Sequence, residues 1–104
     1  MSAFLPIAGI LYVRHLERMT YRLDTLKAAH RHSSNHRSEL EQSVICGCFY
    51  CQRTFLAADV EEWVDDDSTA MCPNCGIDSV VGSASGYPVD EATFLEAMHK
   101  HWFK

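Results

Sequence analysis

The chain has 104 residues, 47% of them hydrophobic, which is enough for one modest core and too little for two independent ones. Its net charge of −5 is unevenly spread: seven Lys or Arg against four Asp or Glu up to Arg53, then two against ten from Thr54 onward. An acidic C-terminal half disfavours a phosphate backbone as its partner, and five cysteines, two pairs of them spaced Cys-x-x-Cys, favour thiolates in a reducing compartment over a disulfide framework.

The apolar run 3–13 contains Pro6 and Gly9, has no positive flank before it and ends at Arg14 and His15. It is too short to span a bilayer and has no small-residue cleavage site after it, so no membrane association and a cytoplasmic location are expected. Tyr12, Leu16, Met19, Leu23 and Leu26 recur at helical spacing, predicting a helix from about Ile7 or Ile10 to His30. Its apolar stripe would pack on the domain core or on a second copy as a homodimer.

Ser33, Ser34 and Asn35 are N-cap residue types, so the first helix should break there and a second should run to about Gln42. Residues 43–55 carry β-prone Val44, Ile45, Phe49, Tyr50 and Phe55 around the first cysteine pair and suggest a hairpin. Asp59 reads as the N-cap of a short helix through Trp63 and Val64, and 65–68 as a solvated loop. Short strands are expected at 69–71 and 77–81, a flexible turn at 82–86, and a final helix capped by Asp90 with Phe94, Leu95, Met98 and Trp102 on one face.

The spacing Cys48-x2-Cys51-x20-Cys72-x2-Cys75 is that of a four-cysteine zinc site. Two intervening residues let a tight turn aim both sulfurs at one ion, and Gly76 supplies the positive φ that such a turn needs. A closed four-sulfur site leaves no position for water or substrate, so the expected role of one Zn2+ here is structural. Cys46 is either a buried thiol or an alternative ligand, and His36 could displace one cysteine.

The expected fold is therefore small α+β: a two-knuckle zinc-ribbon or treble-clef-like core over 43–104, preceded by a helical segment over 1–42, in one compact domain. The strand-like 77–81 favours the ribbon.

Catalytic readings find little support. A zinc deaminase needs His-x-Glu and then Pro-Cys-x-x-Cys, whereas this chain has Cys-Pro-Asn-Cys and no proline directly before either knuckle. The HNH-type nuclease order fails because no histidine lies between the knuckles, and the βαβ setting of a redox dithiol is missing. What remains is His30, His32 and His36, which could act as acid or base, bind a second metal in a hydrolase or nuclease, or simply cap a helix in solvent.

The strings Cys46-Gly47-Cys48-Phe49-Tyr50-Cys51 and Thr69-Ala70-Met71-Cys72-Pro73-Asn74-Cys75-Gly76-Ile77-Asp78-Ser79 carry a resemblance to a known family. So do His32-Ser33-Ser34-Asn35-His36-Arg37, Glu62-Trp63 and Gly86-Tyr87-Pro88. The chain resembles small bacterial and phage-borne zinc-ribbon-like proteins carried under labels such as "cytoplasmic protein". The resemblance runs from about Ala29 to Phe103 and implies a zinc-stabilised cytoplasmic module without a stated activity. Members of that family start near the segment that begins here at Met19, so 1–18 is expected to be an extension or an upstream start.

The leading functional expectation is a protein-interaction or regulatory module that presents the acidic face 59–67 to a basic protein partner. The alternative is a nucleic-acid-binding regulator that uses the basic residues of the N-terminal half, from Arg14 to Arg53.

Overall fold

The computed structural model describes residues 21–103. The expected helix before Tyr21, with its Tyr12, Leu16 and Met19 stripe, its homodimer contact and the extension 1–18, lies outside the described residues.

Among the described residues three helices, α1 (Leu23–His30), α2 (Arg37–Glu41) and α3 (Ala92–Trp102), surround five short strands. These are β1 (Cys46–Cys48), β2 (Thr54–Phe55), β3 (Trp63–Val64), β4 (Thr69–Ala70) and β5 (Val80–Gly82). β1 is the centre of an antiparallel sheet ordered β2-β1-β5, and β3 and β4 form a separate hairpin. The fold is thus small α+β. Among the described residues no helix is long and apolar enough to cross a membrane.

Strand alternation sends side chains of the central sheet into two apolar clusters. Val81 faces Leu26 and Ala29 of α1 and Phe94, Leu95 and Met98 of α3, with Phe49 and Val89. Val80, Cys46 and Cys48 face the other way, onto Leu40 of α2, Phe55, Ala70 and Cys72. Gly47 points at the helices, where a Cβ would come within 2.6 Å of the Val89 carbonyl oxygen and 3.1 Å of Leu95. Glycine at 47 is therefore what lets α3 and its lead-in lie directly on β1.

Several local expectations are corrected. α1 faces the core with Leu26 and Ala29, whereas Leu23 is 52% exposed at its first turn. Between α1 and α2 the chain makes a 3-10 turn, Arg31–Ser33, and α2 has no side-chain cap. The Ser33 hydroxyl donates back to the His30 carbonyl (2.6 Å), and the opening N–H groups of His36 and Arg37 are instead taken by the Ser68 carbonyl (2.8 and 3.0 Å). A tertiary acceptor from the β3–β4 hairpin has replaced the local cap.

Asp59 closes a 3-10 turn, Ala57–Asp59, with its carboxylate accepting the Leu56 N–H (3.0 Å), so it opens no helix. Trp63 and Val64 pair with Ala70 and Thr69. The second knuckle leads into a strand that begins at Val80, later than expected, and residues 83–85 form a 3-10 turn closed by Gly86 at φ 90°. α3 begins one residue after Glu91, with no side-chain cap from Asp90.

Candidate metal centre

Two knuckles with the same backbone design meet at one point. In the first, the Gln52 N–H donates to the Cys48 carbonyl (2.7 Å) and the Cys48 N–H to the Arg53 carbonyl (2.9 Å). In the second, the Gly76 N–H donates to the Cys72 carbonyl (2.9 Å) and the Cys72 N–H to the Ile77 carbonyl (2.9 Å). The residue after the second cysteine is left-handed in both, at φ 64° for Gln52 and 79° for Gly76. Gly76 adopts this conformation freely; Gln52 does so against its Cβ.

A substitution test follows from that difference. A Cβ at Gly76 meets no atom within 4 Å, so Gly76→Ala should cost only backbone strain, about 1 kcal/mol. Gln52→Gly should shift stability the opposite way, by less than about 1 kcal/mol, because relieved strain is partly offset by a freer unfolded chain. Thermal melting of the two variants, metal-loaded, reads both signs.

The four ligand sulfurs of Cys48, Cys51, Cys72 and Cys75 lie within 4.8 Å of one another. Two contacts cross between the knuckles, Cys48 Sγ to Cys75 Sγ and Cys51 Sγ to Cys72 Sγ, each 3.7 Å. A tetrahedron of sulfurs about 2.3 Å from a central ion has edges of roughly 3.8 Å, which the two cross-knuckle contacts match. Backbone N–H groups reach the first sulfur of each knuckle, Tyr50 to Cys48 (3.4 Å) and Asn74 to Cys72 (3.3 Å). The Ser79 hydroxyl lies 3.1 Å from Cys48 Sγ. These four cysteines could therefore coordinate one metal ion.

Electrostatics point the same way. Burial pushes the thiols of Cys51 and Cys75 up, and the neighbouring sulfurs add to the shift. At Cys72 burial also acts upward, but N–H groups of Cys75 and Asn74, joined by the thiols of Cys75 and Cys51, outweigh it and the net shift is downward. Sulfurs this close cannot all ionise together without a cation among them.

Cys46 lies outside the cluster, fully buried on β1 opposite Phe55 and Gly82, which decides against it as an alternative ligand. Burial first, and then the charge of Asp59, push its thiol up to about 11.

The histidines separate. The His30 ring packs against Trp102 with centroids 4.0 Å apart. His32 Nδ1 lies 2.9 Å from Glu39 Oε1. His36 is buried, with Nδ1–H donating to the His32 carbonyl (2.6 Å) and Nε2 accepting the Ala70 N–H (3.0 Å). Both nitrogens of His36 are thus engaged by backbone, so it ligates nothing and joins α2 to β4. Among the described residues the cysteine cluster is the one group of His, Cys, Asp or Glu side chains gathered closely enough to hold a metal.

Sequence reasoning missed Gln52 and Ser79. Aligning the knuckles, Cys-Phe-Tyr-Cys-Gln with Cys-Pro-Asn-Cys-Gly, places Gln52 opposite Gly76 and would have exposed its backbone role. No sequence signal marks Ser79, which reaches Cys48 through the pairing of β5 with β1. On the other side, His99 of α3 donates from Nδ1 to the Phe49 carbonyl (3.2 Å), tying that helix to the first knuckle.

The fold and the site define a small α+β protein with a four-cysteine cluster that could coordinate one metal ion. Comparison with protein-family models, with curated proteins and with solved structures finds no match.

Proposed function

We propose that the centre holds one structural Zn2+ in a zinc-ribbon-like core and that this core presents an acidic hairpin to a basic protein partner in the cytoplasm. The gathering of four sulfurs within 4.8 Å of one another carries the reading. An all-sulfur tetrahedral set suits zinc, and four protein donors leave no open position for catalysis. The ion would cross-link two knuckles whose strands are too short to hold together alone. The strand that follows the second knuckle, where a treble clef would place a helix, supports the ribbon-like form.

The tip of the β3–β4 hairpin supports the interaction role. Asp65, Asp66 and Asp67 are all left-handed, at φ 56°, 57° and 67°. The turn is braced from outside: Arg37 Nη1 donates to the Asp67 carbonyl (3.0 Å), its guanidinium lies 4.3 Å from the Trp63 ring, and the Ser68 hydroxyl lies 2.9 Å from Asn35 Oδ1. Three adjacent carboxylates on a braced turn form a preorganised anionic surface, which reduces the ordering cost of binding a cationic one.

Elemental analysis of the purified chain should find one zinc per chain. Capture from nuclease-treated lysate should retain a basic protein that is lost as salt rises, since exposed charge attraction is screened over about 8–10 Å at ordinary ionic strength. The triple variant Asp65→Asn, Asp66→Asn, Asp67→Asn should lose that protein while keeping its fold, because asparagine tolerates left-handed backbone. Capture that ignores both salt and the triple variant would refute the acidic docking surface.

A further inference from the structure

The four sulfurs are not equivalent. Cys48 and Cys72 are buried, while Cys51 and Cys75 are half-buried and reach solvent. Each half-buried sulfur has a buried counterpart 3.7 Å away on the opposite knuckle, Cys48 for Cys75 and Cys72 for Cys51. An oxidant arriving from solvent therefore meets Cys51 or Cys75 first, with a resolving sulfur from the other knuckle already beside it.

We propose that the centre is also a modification site for hydroperoxides, in which Cys51 and Cys75 are oxidised first and the products are the cross-knuckle disulfides Cys48–Cys75 and Cys51–Cys72. The inference rests on the same four cysteines holding zinc when reduced. The Cys75 thiolate attacks one peroxide oxygen; the O–O bond breaks, a sulfenic acid forms and hydroxide leaves. The Cys48 thiolate then attacks that sulfur and expels a second hydroxide, so two thiolates lose two electrons and one hydrogen peroxide becomes two hydroxides. The same sequence at Cys51 and Cys72 consumes a second peroxide.

Each disulfide removes two of four donors, so the zinc is released. Both links join one knuckle to the other, across sequence separations of 27 and 21 residues, and so replace the connection that the zinc made. Disulfides within each Cys-x-x-Cys would leave the knuckles unjoined. The oxidised, zinc-free chain is expected to keep its fold for that reason.

The test treats the full reduced chain, its zinc content measured beforehand, with excess hydrogen peroxide while a chelating dye reads zinc release. The products are alkylated, digested with trypsin and mapped by mass spectrometry. Cleavage after Arg53 puts the knuckles on separate peptides, 38–53 and 54–100, which cross-knuckle disulfides join and within-knuckle disulfides do not. The expected result is zinc release with joined peptides, fragmentation assigning Cys48–Cys75 and Cys51–Cys72, and a dimedone trap labelling Cys51 and Cys75 ahead of their partners. Within-knuckle disulfides, sulfinic acids without disulfides, retained zinc or the reverse order of labelling would overturn it. Zinc absent from the starting chain would refute the metal centre itself, and the mapping would still decide the pairing.

Discussion

Cys75→Ala is expected to unfold the half of the chain that follows α2, with loss of the bound zinc and of cooperative melting. Zinc binding in small domains supplies on the order of 10 kcal/mol of folding free energy, comparable to the whole stability of a typical domain. Here β2, β3 and β4 have two residues each, and the turns that lead into β2 and out of β4 are the knuckles closed at Cys48 and Cys72. Removing one donor leaves three sulfurs and opens the site. Circular dichroism melting and zinc content measured on wild type and variant check the result; unchanged melting with one zinc retained would refute the assignment. A strong chelator applied to the wild type should reproduce the loss, and added zinc should reverse it.

His36→Leu is expected to be strongly destabilising although His36 lies outside the metal centre. The leucine fills much of the space but leaves the His32 carbonyl and the Ala70 N–H without their partners, at about 1–3 kcal/mol each. The effect should depend on pH in a definite direction. Burial, the largest influence, lowers the His36 pKa below its usual 6.5; the His32 carbonyl and Glu39 oppose it, and His32 itself adds to it.

The neutral ring is the form that accepts the Ala70 N–H, so the folded chain resists a proton that the unfolded chain takes up near 6.5. The stability from His36 is therefore fully present above that pH and declines as pH falls below it toward the lowered folded value. His30, its pKa also lowered mainly by burial, contributes in the same direction. The informative quantity is the gap between wild type and His36→Leu at matched pH, which cancels His30 and the thiolates. It should be widest above 6.5 and narrow on acidification, and a gap that widens instead would contradict the neutral-ring assignment.

The gathering of Cys48, Cys51, Cys72 and Cys75 was legible in the sequence because a knuckle is a local object. Two residues between cysteines, and a glycine after the second pair, determine where the sulfurs point with little help from the rest of the chain. The final helix was legible for a similar reason: Phe94, Leu95 and Met98 at helical spacing need only an apolar surface to face. What failed were the helix starts. Ser33, Ser34, Asn35, Asp59 and Asp90 all carry capping chemistry, yet none caps an α-helix: at α2 the distant Ser68 carbonyl takes the opening N–H groups, and the segment after Asp59 pairs as strand β3 instead.

By itself, then, the sequence determined the two cysteine pairs, the α+β content and the acidic character of the later half, all properties of residue type and short spacing. Tertiary structure alone decided that the two knuckles meet with their sulfurs crossed, that Cys46 faces an apolar cluster, and that His30, His32 and His36 go to three different tasks. Each of those outcomes depends on contacts between residues far apart in the chain, the Ser68 carbonyl on α2, the Ala70 N–H on His36 and β5 on β1. Such contacts are selected by burial and by the pairing of backbone groups across the whole fold, and no local pattern encodes them.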